Sequence, residues 1–112
     1  MHVDGFDWNE GNRSKCQKHG VSVAAIEALF GGELMVLPDP AHSRSEERFK
    51  AIGRTDQDRA VFLVFTLRKR RNRTLIRPIS ARYMHRNEIE HYEKETAKAF
   101  QQQGRRAFRR DR

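Results

Sequence analysis

The sequence has little of what several classes of protein require. It contains a single cysteine, Cys16, so it cannot form an internal disulfide, and we expect this thiol to be buried or inert. It has no apolar N-terminal segment and no apolar run of membrane-spanning length, which predicts a cytoplasmic protein outside the membrane. It also has no glycine-rich phosphate loop and no serine or cysteine in a triad-like setting. These absences argue against nucleotide-dependent and acyl-transfer enzymes.

The sequence gives little sign of a metal site. Cys16 and His19 have the spacing of two zinc ligands on a helix, but a structural zinc site needs four ligands. The other histidines offer no second pair of suitable spacing. We therefore expect neither a metal nor a cofactor.

The charge is mostly of one sign and is unevenly placed. Lysine and arginine total 23 against 15 aspartates and glutamates, a formal net charge of +8. Residues 105–112 alone hold five arginines against one aspartate, which is half of that excess. Clustered arginine favours a polyanionic partner, and we predict a nucleic acid. We expect one domain over residues 1–104 and a basic tail, residues 105–112, that is disordered unless bound.

Hydrophobic patterning predicts an α+β domain: an antiparallel sheet of about four strands with two N-terminal helices and one C-terminal helix. The first helix ends at Lys18, and its N-cap is either Asn9 or Asp7. Ser22 caps the second helix. A third helix is predicted to start at Tyr83 and to end near residue 104.

Three strands carry the centre of the predicted sheet. Ala60–Leu67 has apolar residues at both its odd and its even positions, which predicts a central strand covered on both faces. The basic run Arg68–Arg73, with five cations, is interpreted as a hairpin loop before the next strand. Pro78 in that strand indicates an edge or a bulge. Residues 46–54 alternate, with a possible bulge near Gly53, and one of their faces is largely cationic: Arg48, Lys50, Ile52 and Arg54.

Cations on neighbouring strands suggest chemistry on a phosphodiester. Guanidinium forks stabilise the charge of its transition state without a metal. Glu46 or Glu47 could act as a general base on a ribose 2′-hydroxyl, and an imidazolium such as His19 or His85 could protonate the leaving oxygen. Structural interpretations stay open: His19 and Lys18 as helix caps, the glutamates as partners of arginines, and Tyr92 as a core residue and not a stacking platform.

Five segments, in order, resemble the BrnT family of toxins: Phe6–Arg13, Lys18–Val21, Glu46–Phe49, Ile52–Arg54 and Ile79–Arg82. The resemblance covers about residues 6–93. It implies a RelE-like fold and a metal-independent endoribonuclease that cleaves mRNA and blocks translation. It also implies a hetero-oligomer with a BrnA-like ribbon-helix-helix antitoxin. The sequence departs from the usual family pattern, which often has aspartate at Asn9, lysine near Asn12 and isoleucine at Pro78.

Combining the resemblance with the charge pattern, we predict two sets of site residues. The catalytic set is His19, Glu47, Arg54 and Arg82, in a groove where Arg54 and Arg82 approach His19. The RNA-binding set is Lys18, Arg48, Lys50, Arg68, Arg77 and Tyr92. The alternative function is a non-catalytic module that binds nucleic acid or an antitoxin through the same surface.

Overall fold

The computed structural model describes residues 3–40 and 46–103, which form five strands and three helices. In chain order these are β1 (Gly5–Phe6), α1 (Glu10–Gln17), α2 (Val23–Leu29), β2 (Leu34–Pro38), β3 (Arg48–Arg54), β4 (Ala60–Arg70), β5 (Arg73–Tyr83) and α3 (Arg86–Gln103). The strands form one sheet in the order β1-β5-β4-β3-β2, in which only β1 and β5 are parallel. The α+β class is confirmed. The sheet has one strand more than the predicted four.

The predicted central strand is confirmed, because β4 lies third of the five strands. Its residues Val61, Leu63 and Phe65 are fully buried. They pack with residues of α1 and α2, including Cys16 and Ile26, and we call this side of the sheet the inner face. Stacked and edge-to-face rings extend the inner core from β3 to β1: Phe49, Phe65, Phe30 and Phe6.

The basic run is not the loop predicted from the sequence. The strands β4 and β5 continue to Arg70 and Arg73, and a turn of two residues, Arg71 and Asn72, joins them. Arg71 has φ of 59°, in the left-handed region that a two-residue hairpin requires of at least one turn residue. Because the ladder persists through the run, cations such as Arg68 have fixed positions on the sheet.

A bulge in β5 occurs at Pro78, as one of the two interpretations predicted. Val64 pairs with Ser80 and Phe65 pairs with Pro78, so Ile79 is an extra residue in β5. Proline has no N–H to donate to the ladder, which explains why the register breaks here. The bulge reverses the parity of the strand beyond it.

Asn12 fastens α1 to this irregular part of β5. Asn9 is the N-cap of α1 and forms a reciprocal capping box with Asn12, which settles the choice between Asn9 and Asp7. The buried Asn12 amide also donates to the carbonyls of Asp7 and Pro78, at 3.0 and 2.9 Å. The three positions that depart from the family pattern are therefore joined through one side chain.

The predicted bulge at Gly53 is wrong. The pairing of β3 with β2 and β4 is regular at this residue. Gly53 is buried because Leu29 and Leu34 pack over it, and a β-carbon there would lie 2.9 Å from Leu34 Cδ1 and 3.2 Å from Leu29 Cδ2. The glycine serves close packing of α2 and β2 on β3.

The third helix lies on the opposite side of the sheet, which we call the outer face. The Tyr92 hydroxyl contacts Met35 Sδ of β2 at 3.3 Å, and Glu93 and Glu88 pair with Arg54 and Arg82. Tyr83, predicted to begin this helix, belongs to β5. None of the helices in the described ranges is both long and apolar enough to cross a membrane. The predicted tail, residues 105–112, lies outside the described residues.

Candidate functional site

The outer face is built from cross-strand rows of side chains. In one row Arg48 of β3 faces Thr66 of β4, which in turn faces Arg77 of β5. The next row holds Lys50, Val64 and Ser80. Directly opposed residues have β-carbons about 5 Å apart, so each row brings side chains of three strands into contact range.

Four cations of this face form what we call the sheet cluster: Arg48, Lys50, Arg68 and Arg77. All four were predicted to bind RNA, and all four are half-buried. The ion pairs of Lys50, Arg68 and Arg77 differ in length. Arg68 Nε donates to Glu46 Oε2 at 3.0 Å, whereas Lys50 lies 3.9 Å from Asp39 and Arg77 lies 3.8 Å from Asp7. The two longer pairs exceed hydrogen-bonding distance, so these cations can still turn toward an anion.

A second group of charges, the α3 cluster, consists of Arg54, Arg82, Glu88 and Glu93. Both Nη atoms of Arg82 donate to the two carboxylate oxygens of Glu88, at 2.8 and 2.9 Å. These hydrogen bonds, together with one from the His85 N–H, lower the pKa of Glu88 to about 2, and the same pairing raises the pKa of Arg82. Arg54 Nη2 donates to Glu93 at 3.1 Å. The predicted catalytic arginines are thus held by carboxylates of α3.

The sheet cluster and the α3 cluster lie at different positions along the strands of the outer face. Arg77 faces Thr66, and Arg82 faces Phe62, which lies four residues before Thr66 on β4, a separation of about 13 Å. The Arg82 guanidinium also lies 5.1 Å from the centre of the Phe62 ring. The contacts of Glu88, Tyr92 and Glu93 of α3 fall at the Phe62 end. None of these three contacts involves a residue of the sheet cluster.

The predicted catalytic set does not come together in one place. Glu47 and Arg54 belong to one extended segment and are seven residues apart, roughly 23 Å, so they cannot contact one phosphate. His19 and Lys18 are exposed after the end of α1, which packs with the inner face. No hydrogen bond or ion pair within the described ranges joins His19 to Arg54 or Arg82. Glu47 is exposed one residue before Arg48, the first residue of β3, and in an extended chain consecutive side chains point to opposite sides. Its predicted catalytic role stays a prediction.

Tyr92 is half-buried against β2 and belongs to the packing of α3, as its structural interpretation expected. Sequence reasoning missed the contact between Glu93 and Arg54, because a separation of 39 residues leaves no local signal. It also missed Thr66 as a site residue, because the surrounding apolar residues of β4 led us to interpret the whole strand as core.

Two buried oxygen atoms of the described residues lack a hydrogen-bond partner: Asp7 Oδ2 and Thr66 Oγ1. Asp7 Oδ2 lies 3.5 Å from Arg70 Nη2 and 3.8 Å from Arg77 Nη1. Both oxygens therefore adjoin Arg77. Within residues 3–40 and 46–103, no group of three His, Cys, Asp or Glu side chains could hold a metal ion.

Comparison with protein-family models gives a match over residues 8–88 to the family described as "Ribonuclease toxin, BrnT, of type II toxin-antitoxin system". The matched segment contains α1, α2, strands β2 to β5 and the whole sheet cluster. A search of curated proteins found no match.

Proposed function

Because the chain belongs to the BrnT family of ribonuclease toxins of type II toxin–antitoxin systems, we propose that it cleaves mRNA at the sheet cluster and so inhibits translation in the cytoplasm. The observation that carries the choice of site is the row in which Arg48 and Arg77 flank Thr66. Two guanidinium forks on one row can hold the non-bridging oxygens of a phosphodiester from two sides. The arginines of the α3 cluster donate to Glu93 and Glu88 at 2.8 to 3.1 Å, whereas Arg77 lies 3.8 Å from its carboxylate, Asp7.

The proposed reaction needs only the RNA and side chains. The ribose 2′-oxygen forms a bond to the adjacent phosphorus while the bond from phosphorus to the 5′-oxygen breaks, leaving a 2′,3′-cyclic phosphate and a 5′-hydroxyl. Glu46, which the Arg68 Nε holds beside the cluster at 3.0 Å, accepts the proton of the 2′-hydroxyl, and the Lys50 ammonium gives a proton to the leaving 5′-oxygen. Arg48, between these two residues in sequence, and Arg77 stabilise the charge that develops on the phosphate oxygens.

The site residues predicted elsewhere take other parts in this proposal. Arg54 and Arg82 anchor α3 and can contact nucleotides that flank the cleaved bond. Arg68 adds to the electrostatic attraction of the same face. The roles predicted for Lys18 and His19 stay predictions, since they follow a helix of the inner face.

Purified protein and single-stranded RNA, incubated in excess chelator, test the proposal. We expect cleavage by the parent chain and losses of about 100-fold for Arg48→Ala and for Arg77→Ala, because each removes donors to a charged transition state. Arg13→Ala is the matched control, since it removes an exposed arginine of α1. Full activity of both sheet-cluster variants would refute the site. Intact RNA with measurable binding would favour a non-catalytic binding module.

We also propose that the antitoxin is a BrnA-like ribbon-helix-helix protein that forms a hetero-oligomer with this chain. Membership of a type II system supports a protein partner, since the family is described by its toxin–antitoxin pairing. Expression of the toxin should arrest growth, and coexpression with the product of the neighbouring reading frame should restore it. Copurification of the two chains in one size-exclusion peak would support the complex, and separate peaks would contradict it.

A further inference from the structure

In the described part of the chain, both buried oxygens without a hydrogen-bond partner, Thr66 Oγ1 and Asp7 Oδ2, belong to neighbours of Arg77. Thr66 is 1% exposed although it lies on the outer face, and its hydroxyl has no partner. Arg77 is its direct neighbour on β5. On its other side, Arg77 Nη1 lies 3.8 Å from the Asp7 carboxylate. The side chains of Asp7 and Arg77 are only 17% and 20% exposed.

Neither of these two oxygens, Thr66 Oγ1 and Asp7 Oδ2, stabilises the fold through a hydrogen bond. A buried hydroxyl without a partner loses its bonds to water and gains none in the protein. Valine has nearly the shape of threonine and would fill the same space without that loss. Likewise, two arginines near Asp7 lie at 3.5 and 3.8 Å, whereas charge-assisted bonds are ordinarily about 2.8 Å long. Native proteins contain few such groups, and those that persist often serve a ligand or a reaction.

We propose that Asp7, Thr66 and Arg77 form the phosphate-binding centre of the sheet cluster, in which the Thr66 hydroxyl donates to the phosphate and Asp7 positions Arg77. This inference rests on the proposed function and assigns two residues that it does not use. Arg48 and Arg77 are the direct cross-strand neighbours of Thr66 on the two adjoining strands. When both guanidinium groups turn outward to a phosphate, the hydroxyl between them becomes accessible as a further donor.

Asp7 is well placed for a positioning role. Its backbone N–H donates to the Ile76 carbonyl at 2.8 Å, which fixes it beside the residue preceding Arg77. Its carboxylate can hold one edge of the Arg77 guanidinium while the other edge stays available, since the group carries five donors. The partner of the phosphate is then arginine, and the aspartate itself stays away from the anion.

The hydroxyl is tested with a 2′-deoxy oligonucleotide, which binds but cannot be cleaved by attack of a 2′-oxygen. We expect Thr66→Val to bind this probe about tenfold more weakly than the parent, with an unchanged or higher melting temperature, and Thr66→Ser to retain binding. Thr74→Val is the matched control, a threonine of β5 on the opposite parity. Parental affinity of Thr66→Val would overturn the role of the hydroxyl.

The role of Asp7 is tested by whether Asp7→Asn raises or lowers the affinity for the 2′-deoxy oligonucleotide. If its carboxylate were only a nearby negative charge, Asp7→Asn would bind the same probe more tightly, as Asp56→Asn in the β3–β4 turn should do slightly. A positioning role predicts the opposite, a loss of about tenfold, with partial recovery in Asp7→Glu. Tighter binding by Asp7→Asn would overturn the role of Asp7. Because the probe is not cleaved, these results stand even if RNA cleavage fails, so the two proposals can fail separately.

Discussion

Arg82 and Glu88 form a two-pronged salt bridge, with Nη to Oε distances of 2.8 and 2.9 Å, that joins the end of β5 to the first turn of α3. The same carboxylate accepts the His85 N–H. One side chain thus fixes both the entry to the helix and the direction of a predicted catalytic arginine.

Glu88→Gln is expected to lower the melting temperature at pH 7. The hydrogen bonds from Arg82 lower the pKa of Glu88 from 4.5 to about 2 in the folded chain. A lowered carboxyl pKa gives stability that is complete above pH 4.5 and is lost as the pH falls toward 2. The difference in melting temperature between variant and parent should therefore shrink from pH 7 to pH 3. Glu90→Gln, an exposed neighbour on α3, is the control and should show no such trend.

Lys50→Ala is expected to slow RNA cleavage more than His19→Ala does, by a factor of about 100 if Lys50 is the proton donor. Lys50 lies two residues from Arg48 on the same strand and face, about 7 Å along β3. Single-turnover cleavage rates at saturating protein measure the effect separately from binding. A greater loss in His19→Ala would restore the histidine to the reaction and move the site toward the end of α1.

Gly53→Ala is expected to destabilise the fold by about 1–3 kcal/mol, a common cost of overpacking a core. The added methyl group would lie 2.9 Å from a Leu34 carbon, and Leu29 closes the other side. Urea denaturation measures the free energy of unfolding. Gly32→Ala, where the nearest atom would be 3.9 Å away, is the control. Equal stability of both variants would show that the leucines repack without cost.

The Cys16 thiol is expected to resist alkylation at pH 8 in the folded protein and to react once the chain is unfolded. Burial raises the pKa of this thiol from 9.0 to about 11, so little thiolate forms and reagents have little access. Mass spectrometry after a short exposure to iodoacetamide, with and without urea, measures the difference. Since the folded pKa is raised, the stability from this group should decline as the pH rises from 9 to 11. Rapid labelling of the folded chain would contradict the burial.

Local sequence signals predicted several elements well. The apolar pattern of residues 60–67 identified the central strand, and the alternation in residues 46–54 placed Arg48, Lys50 and Arg54 on one face, as the pairing of β3 confirms. Ser22 caps α2 as expected. These signals succeed because burial on one or both sides of an element repeats with the period of its own backbone.

The grouping of the site residues had no such local signal. Sequence reasoning placed a groove where Arg54 and Arg82 approach His19 and added Glu47 to the catalytic set. The length of β3 separates Glu47 from Arg54, and His19 follows a helix that packs with the inner face, opposite to Arg54. It also interpreted the basic run as a loop, because the charged residues interrupt the apolar pattern although the pairing of β4 and β5 continues through them. Distances between elements depend on the register and on which face a helix covers.

The sequence by itself determined the family, the elements and the residue types for binding a phosphate. Only the tertiary structure decided that Arg77 and Arg82 share a face. Their positions differ by five, and an odd difference would place them on opposite faces of a regular strand. The extra residue at Ile79, next to a proline that cannot donate to the ladder, reverses the parity between them. The pairing across strands, and not the local pattern, therefore sets the outer face.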